Sequence, residues 1–137
     1  IITCDHIVMR DWFKLPGIGG FQDVLTQLDL QTGTIYCTPV MSQDTDDTTT
    51  ALLHMMGADR IQRIYSDNFR SLKRACRRLH FAHELATPGI HRTNGLVERC
   101  NQLILQGTRA CLAAGGLPTC VWPYAVEAYC HHENIAE

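Results

Sequence analysis

Three carboxylates stand where an α/β chain can put them to chemical use. Asp11 closes the short β-prone run Ile7-Val8-Met9, Asp67 closes Arg63-Ile64-Tyr65-Ser66, and Glu98 lies in the first turn of a long helical segment. Acids at strand ends along one edge of an open sheet line the crevice where ligands bind. A helix starting at that edge can bring a first-turn Glu to the same place. Gathered together, three carboxylates repel one another unless a cation neutralises them. Hard oxygen donors of this kind suit Mg²⁺ or Mn²⁺, and two such ions can clamp both the attacking and the leaving oxygen of a phosphodiester. Each acid also has a simpler reading: Asp11 as a solvated neighbour of Trp12, Asp67 as a helix N-cap, and Glu98 as a complement to the helix dipole.

The cations are concentrated in one part of the chain. Residues 1–59 hold two Lys or Arg against eight acids, whereas residues 60–99 hold nine against three. Within that basic segment Arg70, Lys73, Arg74, Arg77 and Arg78 fall on one helical face, opposite Phe69, Leu72, Cys76 and Leu79. Such a stripe is either a solvated helix face or a contact for nucleic-acid phosphates. His131-His132 beside Cys130 does not have zinc-site spacing, because adjacent helical residues point about 100° apart.

The elements that must position these residues follow from local pattern. Val24 to Leu30 and Thr34 to Thr38 flank Gln31-Thr32-Gly33 and read as a hairpin. Asp44 to Asp47 precede a short helix over 46–57, and Ile61 to Ser66 read as a strand. A helix from Phe69, a strand over His80 to Leu85 and a Pro/Gly loop over 87–95 come next. The long helix then covers 95–114 and stops at Gly115-Gly116, and a last helix begins between Thr119 and Pro123. Strands come early and helices interleave later, which is an α/β layer pattern.

The chain has 137 residues, 45% of them hydrophobic and 19% charged, with a net charge of −2. This is one globular domain over 1–137, with no apolar run of the roughly 20 residues that a membrane span needs. The start at Ile1-Ile2-Thr3, without Met or signal segment, reads as a piece of a longer polyprotein. Seven cysteines, odd in number and without a CxxC pair, point to reduced thiols and an intracellular protein.

Two local sequences sharpen the reading. Ile64-Tyr65-Ser66-Asp67-Asn68, followed by Thr87-Pro88-Gly89-Ile90-His91-Arg92-Thr93-Asn94-Gly95-Leu96-Val97-Glu98-Arg99-Cys100-Asn101, resembles the catalytic core of retroviral and LTR-retrotransposon integrases. That family reads SDN at its second catalytic Asp and H…NG-x-x-ER-x-N at its catalytic Glu. Gly116-Leu117-Pro118 through Trp122 to Ala128 resembles the LP…W…A helix that follows.

The resemblance implies a ribonuclease-H-like fold: a five-stranded mixed sheet flanked by helices on both faces. It implies a metal-dependent DNA integrase that processes 3′ ends and then transfers strands, using two Mg²⁺ or Mn²⁺ ions held by Asp11, Asp67 and Glu98. Asp11 is taken as the first-strand member over Asp5 and Asp29, because a turn and the hairpin follow it. On the same resemblance His91, Arg92, Asn94, Arg99 and Gln102 join Lys73 and Arg77 as DNA contacts. DNA ends and target DNA are the implied partners, with a homodimer or higher oligomer that uses Trp122, Val126 and Tyr129, and a nuclear location.

Three departures are plain. Phe69-Arg70 replaces the family's Gly-and-acid continuation after SDN, the thirty residues between Asp67 and Glu98 make a short interval, and Gln102 stands where retroviral relatives favour a basic DNA contact. They leave room for a catalytically decayed integrase-fold module that only binds nucleic acid or protein. A nuclease for RNA–DNA hybrids is a further alternative, although no fourth carboxylate stands out for it.

Overall fold

The computed structural model describes residues 1–57, 61–85 and 91–136, with residues 91–94 described by backbone alone. Its elements are β1 (Ile2–Val8), β2 (Asp23–Asp29), β3 (Ile35–Val40), α1 (Thr45–Met56), β4 (Arg63–Ser66), α2 (Arg70–Arg78), β5 (Ala82–Leu85), α3 (His91–Gly115) and α4 (Trp122–Ile135). The five strands form one mixed sheet in the order β3-β2-β1-β4-β5. β1, β2 and β3 run antiparallel to their neighbours, while β4 and β5 continue in parallel from β1.

Strand alternation builds two cores, one on each face of the sheet. Ile2, Cys4, Leu25, Val40 and Ile64 pack with Ala51 and Leu52 of α1 and Leu72, Ala75 and Cys76 of α2. Ile7, Val24 and Ile35 pack on the other face with Cys100, Ile104 and Leu112 of α3 and Trp122 and Val126 of α4. The sheet is thus flanked on both faces, as the α/β reading requires. No helix among the described residues is long and apolar enough to cross a membrane.

Local chemistry sets the helix ends. Asp44 caps α1 by accepting from Asp47 N at 2.8 Å. α3 ends in a Schellman arrangement: Gly116, at φ 61°, supplies the left-handed residue, and Leu117 N reaches back to Leu112 O. The close approach of α3 to α4 depends on Gly107, where an added Cβ would stand 2.1 Å from the Tyr129 ring. Gly107→Ala is therefore expected to lower stability by about 1–3 kcal/mol, measured as a fall in urea midpoint at unchanged slope.

Several sequence expectations need correction here. β1 starts at Ile2 and ends at Val8, so Asp11 lies in the following loop and not at a strand end. Asp5 and His6 in the middle of β1 weaken the apolar signal that marks a strand. α3 starts at His91, so Glu98 lies two turns inside it and not in its first turn. The helix runs through Thr93-Asn94-Gly95 without a break.

Trp122 is 2% exposed and Val126 fully buried, with Tyr129 packed against the same cluster. Trp122 and Val126 belong to this chain's own core, which removes these two as an oligomer surface, while Tyr129 stays half-buried at its rim. The cysteines are also not all free: Cys37 of β3 and Cys130 of α4 form a disulfide across 93 residues. The pair is invisible in the spacing because only the packing of α4 on the outer strand brings it together. Asn134 strengthens the same junction, accepting from Ile35 N at 2.8 Å and donating to Ile35 O at 2.7 Å. The backbone groups of Ile35 at the start of the edge strand are thereby paired, and Pro39 has no backbone donor to offer.

Candidate active site

β1 and β4 run parallel with Ile2 beside Ile64 and Thr3 beside Tyr65. Continued two residues further, that register sets Asp5 level with Asp67. Asp5 follows the odd-numbered alternation of β1 that directs Ile7 toward α3, and it meets α3 directly. Asn101 Nδ2 donates to Asp5 Oδ2 at 2.8 Å, and His6 N donates to Asp5 Oδ1 at 2.8 Å. Thr26 of β2, the cross-strand partner of Asp5, donates to Asn101 Oδ1 at 2.7 Å. Asn101 thus ties α3 to two strands, three residues beyond Glu98 on the same side of the helix.

The electrostatics of Asp5 report the gathering of acids. Burial raises its pKa most, and the charges of Asp67 and Glu98 raise it further, against the lowering effect of the His6 and Asn101 hydrogen bonds. The net direction is upward. Asp5 is therefore the β1 carboxylate electrostatically coupled to Asp67 and Glu98. The carboxylate of Asp11 is engaged in its own turn, where Oδ1 accepts from Leu15 N at 2.8 Å.

Asp67 is exposed just past β4, and Glu98 is exposed on α3. Their chemistry suits a hard divalent cation, and the mutual repulsion felt by Asp5 is the kind that a cation relieves. The three are not drawn to a common point, however. Among the described residues no three His, Cys, Asp or Glu side chains converge closely enough to hold an ion.

On the opposite face, the backbone of Asp67 is held by Ser66, whose Oγ donates to Asp67 O at 2.9 Å and lies 2.6 Å from His83 Nε2. Burial and nearby Lys73 lower the His83 pKa, outweighing the upward pull of Asp67. Burial also lowers the pKa of His6, under α1, whose ring lies tilted against Phe69 with centroids 5.2 Å apart.

The remaining expected contacts divide three ways. Arg99 and Gln102 are exposed on α3, Arg77 is exposed on α2, and Lys73 is half-buried there. The side chains of His91, Arg92 and Asn94 lie outside the described residues. Sequence reasoning weighed Asp5 but set it behind Asp11, and it did not single out Thr26 or the tie through Asn101. The available signal was the period-two alternation of Ile2 and Cys4 against Thr3, Asp5 and Ile7.

No family model matches the chain. It is 30% identical over 89 residues to the Retrovirus-related Pol polyprotein from transposon TNT 1-94 of Nicotiana tabacum, a match covering 61% of this chain and 7% of that polyprotein. In fold it is similar to a chain of the cryo-EM structure of the simian T-cell lymphotropic virus intasome in complex with PP2A regulatory subunit B56 gamma. The TM-score is 0.78 at 18% identity, over 99% of this chain and 48% of the other. The chain thus spans less than half the length of either relative. Its architecture is the ribonuclease-H-like α/β class, a five-stranded mixed sheet flanked by helices on both faces. Within that class its fold is integrase-like.

Proposed function

We propose that this chain is the catalytic core of an LTR-retrotransposon-type integrase, a polynucleotidyl transferase that cuts and joins DNA. Asp5, Asp67 and Glu98 are its acids, with Asp5 in the role first given to Asp11. The observation that carries the reading is that Asp67, just past β4, falls level with Asp5 of the adjacent parallel β1 when their register is continued, with Asp5 responding to the charges of Asp67 and of Glu98 on α3.

These three would hold Mg²⁺ or Mn²⁺, two ions in the full site. When bound, such ions activate the attacking oxygen and neutralise charge at the phosphorus. The chain's own part is positional: Asn101 fixes the rotamer of Asp5, Thr26 orients Asn101, and the Ser66–His83 pair holds the backbone that presents Asp67. The reading includes DNA as substrate, assembly with further copies, and work in the nucleus.

A non-catalytic integrase-fold module is the second reading. It is favoured by the separation of the three acids and by Phe69-Arg70 following Asp67-Asn68.

Calorimetric titration with Mn²⁺ separates the two. The catalytic reading expects carboxylate-dependent binding that weakens as acid protonates Asp5 and disappears in Asp67→Asn. Equal and negligible heats for both proteins, with and without a DNA duplex present, would favour the module.

A further inference from the structure

Phe69 stands two residues after Asp67, where the resembled family carries Gly, and its packing supplies a physical reason for the replacement. It occupies the N-cap position of α2, which ordinarily takes Ser, Thr, Asp or Asn for their side-chain acceptor, and it makes no capping bond. The first turn of α2 holds no acid either, so the needs of the helix end do not explain this residue. Its ring packs instead, half-buried, against the core shared by α1 and α2. There it meets the ring of His6, with centroids 5.2 Å apart and planes inclined at 55°, a favourable geometry for an aromatic pair.

Both ends of this contact are tied to the acids. His6 N donates to Asp5 Oδ1 at 2.8 Å, and Phe69 N donates to Asp67 O at 2.8 Å. His6 Nε2 lies 3.4 Å from Oγ1 of Thr48, which is fully buried in α1. Phe69 O accepts from Lys73 N in α2 at 3.1 Å. The ladder between β1 and β4 stops at Thr3 and Tyr65, two positions short of the acids. Strand pairing therefore does not fix Asp67 beside Asp5. The ring contact ties the two segments together at that level, on the sheet face opposite α3.

We propose that Phe69 is a positioning residue, holding the turn at Asp67 level with Asp5 by its contact with His6. The inference rests on the proposed function, which gives the two acids their shared ion. It also makes Phe69 a part of the site's framework, where its departure from Gly alone favours a decayed module. Carboxylates held in place before an ion arrives bind it more tightly, because less freedom is lost on binding.

The test combines amide hydrogen exchange in EDTA with calorimetric Mn²⁺ titration of Phe69→Leu, Phe69→Gly and Phe69→Tyr. Leucine keeps apolar burial without the ring, and tyrosine keeps the ring. Phe81→Leu is the control. Phe81 is half-buried against the same core, but it precedes β5 beside the Arg63 end of β4, away from Asp67.

Phe69→Leu is expected to speed exchange over residues 67–70 and to weaken Mn²⁺ binding, each about tenfold. Phe69→Gly should lose more, and Phe69→Tyr should stay within about twofold of the unaltered chain. His6→Leu should match Phe69→Leu, with the double variant no worse than either, because the two act through one contact. Phe81→Leu should lower the melting temperature yet leave both readouts in place. Tighter Mn²⁺ binding in Phe69→Gly would overturn the proposal, as would exchange over 67–70 that moves no more in Phe69→Leu than in Phe81→Leu. Absence of Mn²⁺ binding by the unaltered chain would instead count against the proposed function, and exchange measured in EDTA separates that failure from this one.

Discussion

Asp5→Asn is expected to reduce Mn²⁺-dependent nicking of a DNA duplex by about 10³-fold or more, while Asp11→Asn stays within about twofold of the unaltered chain. The contrast follows from what each carboxylate is engaged in. Asp5 lies on β1 level with Asp67, and its protonation responds to both Asp67 and Glu98. Asparagine there keeps the size of the side chain but removes the charge that a divalent ion needs. Asp11 uses Oδ1 to accept from Leu15 N, a bond that the asparagine amide oxygen can reproduce.

Asp67→Asn should match Asp5→Asn, and the double variant should be no worse than either, because residues acting as one unit fail together. The reverse pattern, with Asp11→Asn inactive and Asp5→Asn active, would return the first-strand role to Asp11 and overturn the trio proposed above.

Cys37→Ala is expected to cost about 2–4 kcal/mol of stability in oxidising buffer, the usual range for a disulfide closing a long loop. The bond spans 93 residues and fastens α4 to the edge strand. A melting temperature about 10 °C lower is the corresponding shift for a domain of this size. Adding reductant to the unaltered chain should bring its melting temperature down to that of the variant, and the variant itself should not respond. Identical melting with and without reductant would mean that both thiols are free and that Asn134 and the apolar core hold α4 alone. That outcome would also return the chain to the all-reduced expectation drawn from its cysteine spacing.

Much of this molecule is written locally. Leu72 and Cys76 face inward at helical spacing while Arg70, Arg74 and Arg77 face out, and α2 forms where that pattern lies. The hairpin of β2 and β3 turns at Gln31-Thr32-Gly33, where Gly33 takes φ 76°. The run ending Ser66-Asp67-Asn68 and the run around Glu98 mark the integrase likeness without any coordinates. These features depend on neighbours within a few residues, which is the range over which periodicity, caps and turns operate.

β1 shows where that range ends. Its middle residues Asp5 and His6 are polar because one faces α3 and the other packs beside Phe69, and neither partner is near in sequence. A local reading therefore shortens the strand to its apolar end and passes over Asp5 for the more conspicuous Asp11. Trp122 and Val126 look equally suited to a core or to an interface until α4 is set against α3 and the sheet.

By itself, the sequence determined the α/β class, the order of elements and the likeness carried by Asp67 and Glu98. The tertiary structure alone decided that Asp5 meets α3, that Asn101 and Thr26 hold it, and that Cys37 meets Cys130. Each of those depends on strand register or helix docking between residues at least 21 positions apart. Long-range contacts of that kind are set by the burial of whole faces, and no short stretch of sequence specifies them.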